Sequence, residues 1–326
     1  MEIRTVSLVG LGALGILFGH HLASRMPRRD LRIVADRDRI ARYRRDGVFC
    51  NGTPCAFHYQ PDDAPCRPAD LLLFAVKFPD LPDAIRTARN QVGPDTLILS
   101  LLNGIESEDM VAEAYGRDRV LDCTSQGMDA VREGSRLTYR NMGSITFGER
   151  EPGLVTERCL RVEAFFRRME VPHQLSTDMR RQMWGKFMTN VGVNQVVAAL
   201  EGDYGLIQEP GPARDRMVAA MREVLALSDR EGVGLSEEDL VRWLAVLDRL
   251  DPGGKPSMRQ DLEAGRKTEL DLFAGTVLAL GRKHGVPTPV NRDLYDRLLD
   301  MERRGLARRP ATPAVRCDPG SGSSGS

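Results

Sequence analysis

The sequence predicts an α/β fold in two parts, an N-terminal doubly wound sheet followed by an all-α C-terminal half. Three observations carry this. Strand-like and helix-like segments alternate through the first half; the runs Asp70–Val76 and Thr96–Leu102 are apolar enough for buried parallel strands; from about Asp178 onward only helical periodicity remains. At 326 residues, about two domains are expected. Their expected bounds are 1–176 and 177–305. Residues 306–326, rich in Arg, Pro, Gly and Ser, are expected to be a disordered tail, ending at Gly320–Ser326 in a linker or tag.

In order, Arg4–Val9 reads as an apolar strand and Ala13–Met26 as a helix. Leu31–Ala35 is a second strand, with an Arg-rich helix at Asp38–Arg45. Val48–Tyr59 reads as a hairpin because Asn51-Gly52 is a two-residue turn signal between apolar flanks. The helix Leu81–Gln91 separates the two buried strands, and Val120–Cys123 and Ser144–Phe147 complete the sheet. Helices are then expected at Met179–Leu200, Ala213–Glu231, Glu237–Leu247, Arg259–His284 and Asn291–Arg304.

Composition excludes several classes. Lys plus Arg and Asp plus Glu are both 46, so no basic surplus points to nucleic acid. The apolar run Leu71–Val76 is too short for a bilayer, and the N-terminus enters a strand without a signal-like segment, so a soluble cytoplasmic protein is expected. The six cysteines form no CxxC and the five histidines no HExxH, so no metal is expected. Only five of the 46 basic residues are lysine (Lys77, Lys186, Lys255, Lys267, Lys283). In an Arg-rich chain a lysine marks a place where a group able to release a proton is wanted.

Gly10-Leu11-Gly12-Ala13-Leu14-Gly15 follows a strand and opens a helix, the context a dinucleotide-binding glycine turn requires. Gly10 permits the turn, Gly12 admits a diphosphate to the backbone, and Gly15 lets the helix pack; the first half is then Rossmann-type. At the end of the second strand, Asp36 would accept hydrogen bonds from ribose hydroxyls and suit NAD. Arg37, with Arg39, would instead pair with a 2′-phosphate and suit NADP. A solvated helix start is the third reading, and the sequence leaves the three open.

In the helical half Lys186, Asn190 and Asn194 recur every four residues, along one face of a helix whose other residues include Trp184, Phe187, Val191, Val193 and Val197. Polar groups in file on a buried helix need partners, which a ligand carboxylate or carbonyl would supply. An exposed polar stripe is the alternative.

Together, Gly10–Gly15, Val76-Lys77, Leu102-Asn103-Gly104, Trp184-Gly185-Lys186-Phe187-Met188-Thr189-Asn190, Asn194, Ser257-Met258-Arg259-Gln260-Asp261, Glu263–Asp271 and His284–Pro289 resemble the ketopantoate reductases. The resemblance runs in order from about Ile3 to Glu302. It implies reduction of a 2-oxo acid, foremost ketopantoate to pantoate, with NADP as cofactor (NAD where Asp36 governs). It implies Lys186 as general acid, and Glu269 as acceptor of a substrate hydroxyl or as an orienter of Lys186. Asn190 and Asn194 would hold substrate oxygens, and Ser257 the carboxylate. Asn103 would sit beside the nicotinamide and the substrate, and Lys77 near a cofactor phosphate or ribose, with Gly10, Gly12, Ala13, Leu14 and Gly15 on the diphosphate. By residue type alone Ser257 reads as a helix N-cap and Glu269 as a solvated helix charge. Against the typical pattern, Asp36-Arg37 replaces a single Arg, Gln126–Asp129 and Tyr139–Met142 differ, and Lys255 adds a cation beside Ser257. The rival readings are a relative acting on another 2-oxo acid, ketone or imine, and a non-catalytic dinucleotide-binding regulator. A homodimer is the partner state the resemblance suggests.

Overall fold

The computed structural model describes residues 2–307. Most of the expected tail, residues 308–326, lies outside the described residues.

Twelve strands occur among the described residues: β1 (Val6–Val9), β2 (Leu31–Ala35), β3 (Phe49–Cys50), β4 (Thr53–Pro54), β5 (His58–Pro61), β6 (Leu71–Phe74), β7 (Leu97–Ser100), β8 (Val120–Gln126), β9 (Val131–Glu133), β10 (Arg136–Thr138), β11 (Ser144–Gly148) and β12 (His173–Leu175). The main sheet runs β12-β11-β8-β7-β6-β1-β2-β5. Its strands from β5 to β8 are mutually parallel, and β11 joins β8 antiparallel. The fold is therefore the expected doubly wound α/β sheet. A second sheet, β4-β3-β10-β9, sits beside it.

Burial explains the continuous apolar runs. In β6, Leu71 and Leu73 enter the core on one face while Leu72 and Phe74 enter the core on the other. A strand covered on both sides has no polar face to alternate with. Helices α1 (Ala13–Ala23) and α5 (Glu157–Arg168) cover the first face through Ile16, Leu17, Phe18, Val162 and Phe165. Between them in the chain, α2 (Arg37–Asp46) lies against β5, while α3 (Leu81–Ala88) and α4 (Ser107–Tyr115) cover the second face.

The strand order reverses between β1 and β6, which leaves a crevice at their carboxyl ends where ligands bind in open sheets of this kind. After β12 the chain is helical: α6 (Met179–Ala199), α7 (Gly205–Gln208), α8 (Pro212–Arg230), α9 (Glu237–Leu247), α10 (Ser257–Glu263), α11 (Thr276–His284) and α12 (Pro289–Ala307). They share a core of their own centred on α6 and α8. No helix among the described residues is long and apolar enough to cross a membrane.

Two expected elements need correction. The hairpin read over Val48–Tyr59 is confined to β3 and β4, turning at Asn51 and Gly52 with positive φ. His58–Pro61 instead leaves it to pair with β2 at the sheet edge. The single helix read over Arg259–His284 breaks after Glu263. Gly265 takes φ +60°, and its N–H and that of Arg266 bond back to Leu262 and Asp261. That is a Schellman stop, and the Ala264-Gly265 pair was its sequence signal. Helix resumes only at Asp271–Gly275, as a π turn leading into α11.

Candidate active site

The glycine turn follows β1 directly. Gly10 has φ +97°, and an added Cβ there would stand 2.6 Å from Val76 Cγ1 and 2.7 Å from the Ala75 carbonyl, so only glycine fits. Gly12 caps α1 with no side-chain hydrogen bond, and no acid sits in the first turn. The free N–H groups and positive end of α1 thus face open space, which suits a diphosphate.

That turn floors a cavity of ≈ 1070 Å³. Gly10, Gly12, Ala13, Leu14, Lys77, Asn103, Ser257 and Glu269 all line it. Lys77 leaves the end of β6 and donates a 2.7 Å hydrogen bond to Asp261 of α10, which also accepts from Arg266 Nε at 2.8 Å. Asp261 was missed as a site residue, although it closes the Ser-Met-Arg-Gln-Asp motif. Ser257 is the first residue of α10, Pro256 being the cap, and its hydroxyl caps nothing. The helix-cap reading of Ser257 is therefore not realised; its side chain is exposed on the cavity wall.

Behind that wall stands Lys186. Its Nζ donates to Asn103 Oδ1 at 3.0 Å and to the Ser125 carbonyl at 2.5 Å. Asn103 Nδ2 in turn donates to Glu269 Oε2 at 3.0 Å. The helix stop at Gly265 lets the segment after α10 drop Glu269 into this position. The segment is pinned by Glu302 of α12, which accepts from the Thr268 N–H at 2.7 Å and from the Thr268 hydroxyl. Glu269 is therefore no solvated helix charge. Burial raises its pKa, against the pull of the Asn103 hydrogen bond and the Lys77 charge. Burial also pushes Lys186 down to about 8, opposed by Cys123, Glu269 and Glu108.

Asn190 is half-buried and Asn194 buried, and neither side chain makes a hydrogen bond among the described residues. Like Lys186 and Gly15 they are not on the wall of this cavity; they lie one and two turns along α6 from Lys186, and α10, which carries Ser257, packs against α6. Asp36 and Arg37 are also off the wall. Asp36 caps α2, accepting the Arg39 N–H at 2.7 Å, and lies 3.3 Å from Arg39 Nε. Arg37 turns outward to Asp63 at 2.8 Å. The arginines that do line the cavity are Arg39, Arg42, Arg132 and Arg266. Of these the sequence reading weighed only Arg39 as a cofactor residue, and held Arg266 only within the Glu263–Asp271 stretch. The three- and four-residue spacing of Arg39, Arg42, Tyr43 and Asp46 on α2 would have found Arg42.

Two family profiles cover this framework: "Ketopantoate reductase PanE/ApbA" over residues 6–152 and "Ketopantoate reductase PanE/ApbA C terminal" over residues 178–302. A 2-dehydropantoate 2-reductase of Halobacterium salinarum is 30% identical over 305 residues, covering 92% of this chain and 99% of that one. The chain belongs to the ketopantoate reductase family. Membership makes it an oxidoreductase. Among solved structures, a PanE/ApbA family ketopantoate reductase from Ralstonia eutropha shares the fold with TM-score 0.79 and 24% identity, over 92% of this chain and 99% of that one. A D-mandelate dehydrogenase solved with NADH and anilino(oxo)acetate does so with TM-score 0.81 and 19% identity, at the same coverage.

Proposed function

We propose that this reductase converts a 2-oxo acid, ketopantoate in first place, to the 2-hydroxy acid, with NADPH as cofactor and Lys186 as general acid. The observation that carries the reading is the Lys186–Asn103–Glu269 chain at the inner side of the cavity floored by the glycine turn.

When bound, the nicotinamide supplies hydride to the carbonyl carbon, and the protein must then provide a proton for the oxygen. An ammonium has three N–H donors. Lys186 spends two on Asn103 and Ser125, and the third is left for a substrate oxygen. Its pKa of about 8 makes the proton easier to release than from an ordinary lysine, while leaving it present at neutral pH. Glu269 holds the Asn103 amide so that its oxygen faces Lys186, which keeps the acid oriented. Asn190, Asn194 and Ser257 offer unspent hydrogen-bonding groups for the substrate's oxygens. Asp36 is committed to Arg39 and to its own helix start, which supports the reading of a phosphorylated ribose.

The test is steady-state reduction of ketopantoate, with NADPH and NADH compared, across pH. Reduction needs the protonated lysine, so kcat/KM should hold below about pH 8 and fall about tenfold per unit above it. The reverse oxidation should rise over the same range. A profile flat to pH 10 would remove Lys186 as the acid. Turnover only with other 2-oxo acids, ketones or imines would move the substrate assignment and leave the mechanism standing.

Glu269→Ala should raise KM for the 2-oxo acid about tenfold, the scale of one lost charge-assisted contact, and change cofactor Kd little. Glu269→Gln keeps an oxygen for Asn103 and should fall between. Equal losses toward substrate and cofactor would count against this placement of Glu269.

A further inference from the structure

Two of the arginines on the cavity wall have no close carboxylate partner among the described residues. Arg39, Arg42 and Tyr43 share one face of α2, and that face lines the cavity. Across from it, Arg132 reaches the same cavity from β9, whose hairpin with β10 is carried on β3. The Tyr43 ring marks their convergence, since the charges of Arg39, Arg132 and Arg42 all bear on its hydroxyl.

The partners of these arginines differ. Arg39 is matched by Asp36, and Arg266 by Asp261. Neither Arg42 nor Arg132 forms a hydrogen bond or close ion pair among the described residues. Asp46, which shares the cavity-lining face with Arg42, is paired with Arg45 at 2.7 Å and feels the Arg42 charge only at longer range. The charge of Arg266, from the helical half, moreover opposes that of Arg132. Guanidinium groups on a cavity wall with no close carboxylate partner keep their donors free for an anion, and a phosphate dianion matches guanidinium geometry well.

We propose that Arg42 and Arg132 form a two-sided site for the ribose 2′-phosphate of the dinucleotide, one jaw on α2 and the other on the β9–β10 hairpin. The proposal rests on the NADPH reading above and assigns the phosphate to residues outside the strand-end pair Asp36-Arg37. The geometry explains why Arg37 can be spent on Asp63 at the surface: the specificity lies one turn further along α2 and across the cleft. On this assignment the hairpin arginine should matter chiefly when that phosphate is present.

Binding can be read without turnover. Arg132→Gln and Arg42→Gln should each weaken NADPH, followed by nicotinamide fluorescence, roughly tenfold or more while leaving NADH within about twofold. Adenosine 2′,5′-bisphosphate should compete with NADPH in the parent protein and lose that advantage over 5′-ADP in either variant. Arg132→Lys, which keeps the charge and loses the fork, should fall between. An unchanged NADPH-to-NADH ratio in both glutamine variants would overturn the site, as would equal losses for the two dinucleotides. Failure of the parent protein to bind either dinucleotide would instead overturn the cofactor reading beneath it.

Discussion

Replacing Lys186 by Met should lower turnover by about 10²- to 10⁴-fold and leave the Kd for NADPH unchanged. The cofactor contacts expected on the glycine turn and the arginine wall are untouched by the change, because Lys186 lies behind Asn103 and off the cavity surface. The loss should therefore appear in single-turnover reduction at saturating cofactor, with fluorescence titration as the control. Lys186→Arg should be little better than Met. A guanidinium does not release its proton in the accessible pH range, and its fork cannot reproduce an ammonium shared between an amide oxygen and a backbone carbonyl. The decline above about pH 8 should vanish from whatever activity remains. Near-normal turnover in Lys186→Met would make the lysine structural and the general acid some other group.

What the sequence made legible was what local pattern determines. The glycine turn, the two-sided strands β6 and β7, and the Lys186–Asn190–Asn194 file each lie within a few residues of one another, so periodicity alone places them on an element. The rarity of lysine marked five residues, of which Lys186 is half-buried and hydrogen-bonded twice while Lys255, Lys267 and Lys283 make surface ion pairs. What stayed hidden depends on contacts distant in sequence. Glu269 reads as an exposed charge until the Gly265 stop brings it to Asn103, 166 residues away. Asp36 and Arg37 look like the ribose readers because they end β2, yet a capping bond and a surface pair occupy them. Arg132 lies on a three-residue strand too short and too exposed to register, and its place on the cavity wall depends on contacts distant in sequence. Helix capping competes for the side chain that follows a strand, and the sequence carries no local signal of that competition.

The second large effect is expected at Gly15, where folding and ligand binding depend on the same contact. A Cβ added there would stand 1.9 Å from the Gly10 carbonyl oxygen and 2.9 Å from its carbon, both backbone atoms of the turn. Neither can rotate aside as a side chain can, so α1 must move off the sheet or the turn must open. Overpacking on that scale should cost about 3 kcal/mol or more. Gly15→Ala should therefore lower Tm by several degrees and bind neither dinucleotide detectably. Gly19→Ala, one turn later on the same helix, is the internal control. Its Cβ meets the edge of the Phe57 ring at 3.2 Å and Ile33 Cδ1 at an ordinary 3.8 Å, and a ring can yield by a few tenths of an ångström. That variant should lose less stability and keep its cofactor. Gly12→Ala separates the two roles of the turn. Its Cβ would come 3.3 Å from the Ala75 carbonyl, close but tolerable, while intruding where the backbone must receive the diphosphate. It should melt near the parent protein and still lose NADPH and NADH alike, in contrast to the arginine variants, which should lose NADPH alone. If Gly12→Ala bound both dinucleotides normally, the free N–H groups at the start of α1 would not be the diphosphate cradle. The cavity would then have to hold its anion on the arginine wall alone.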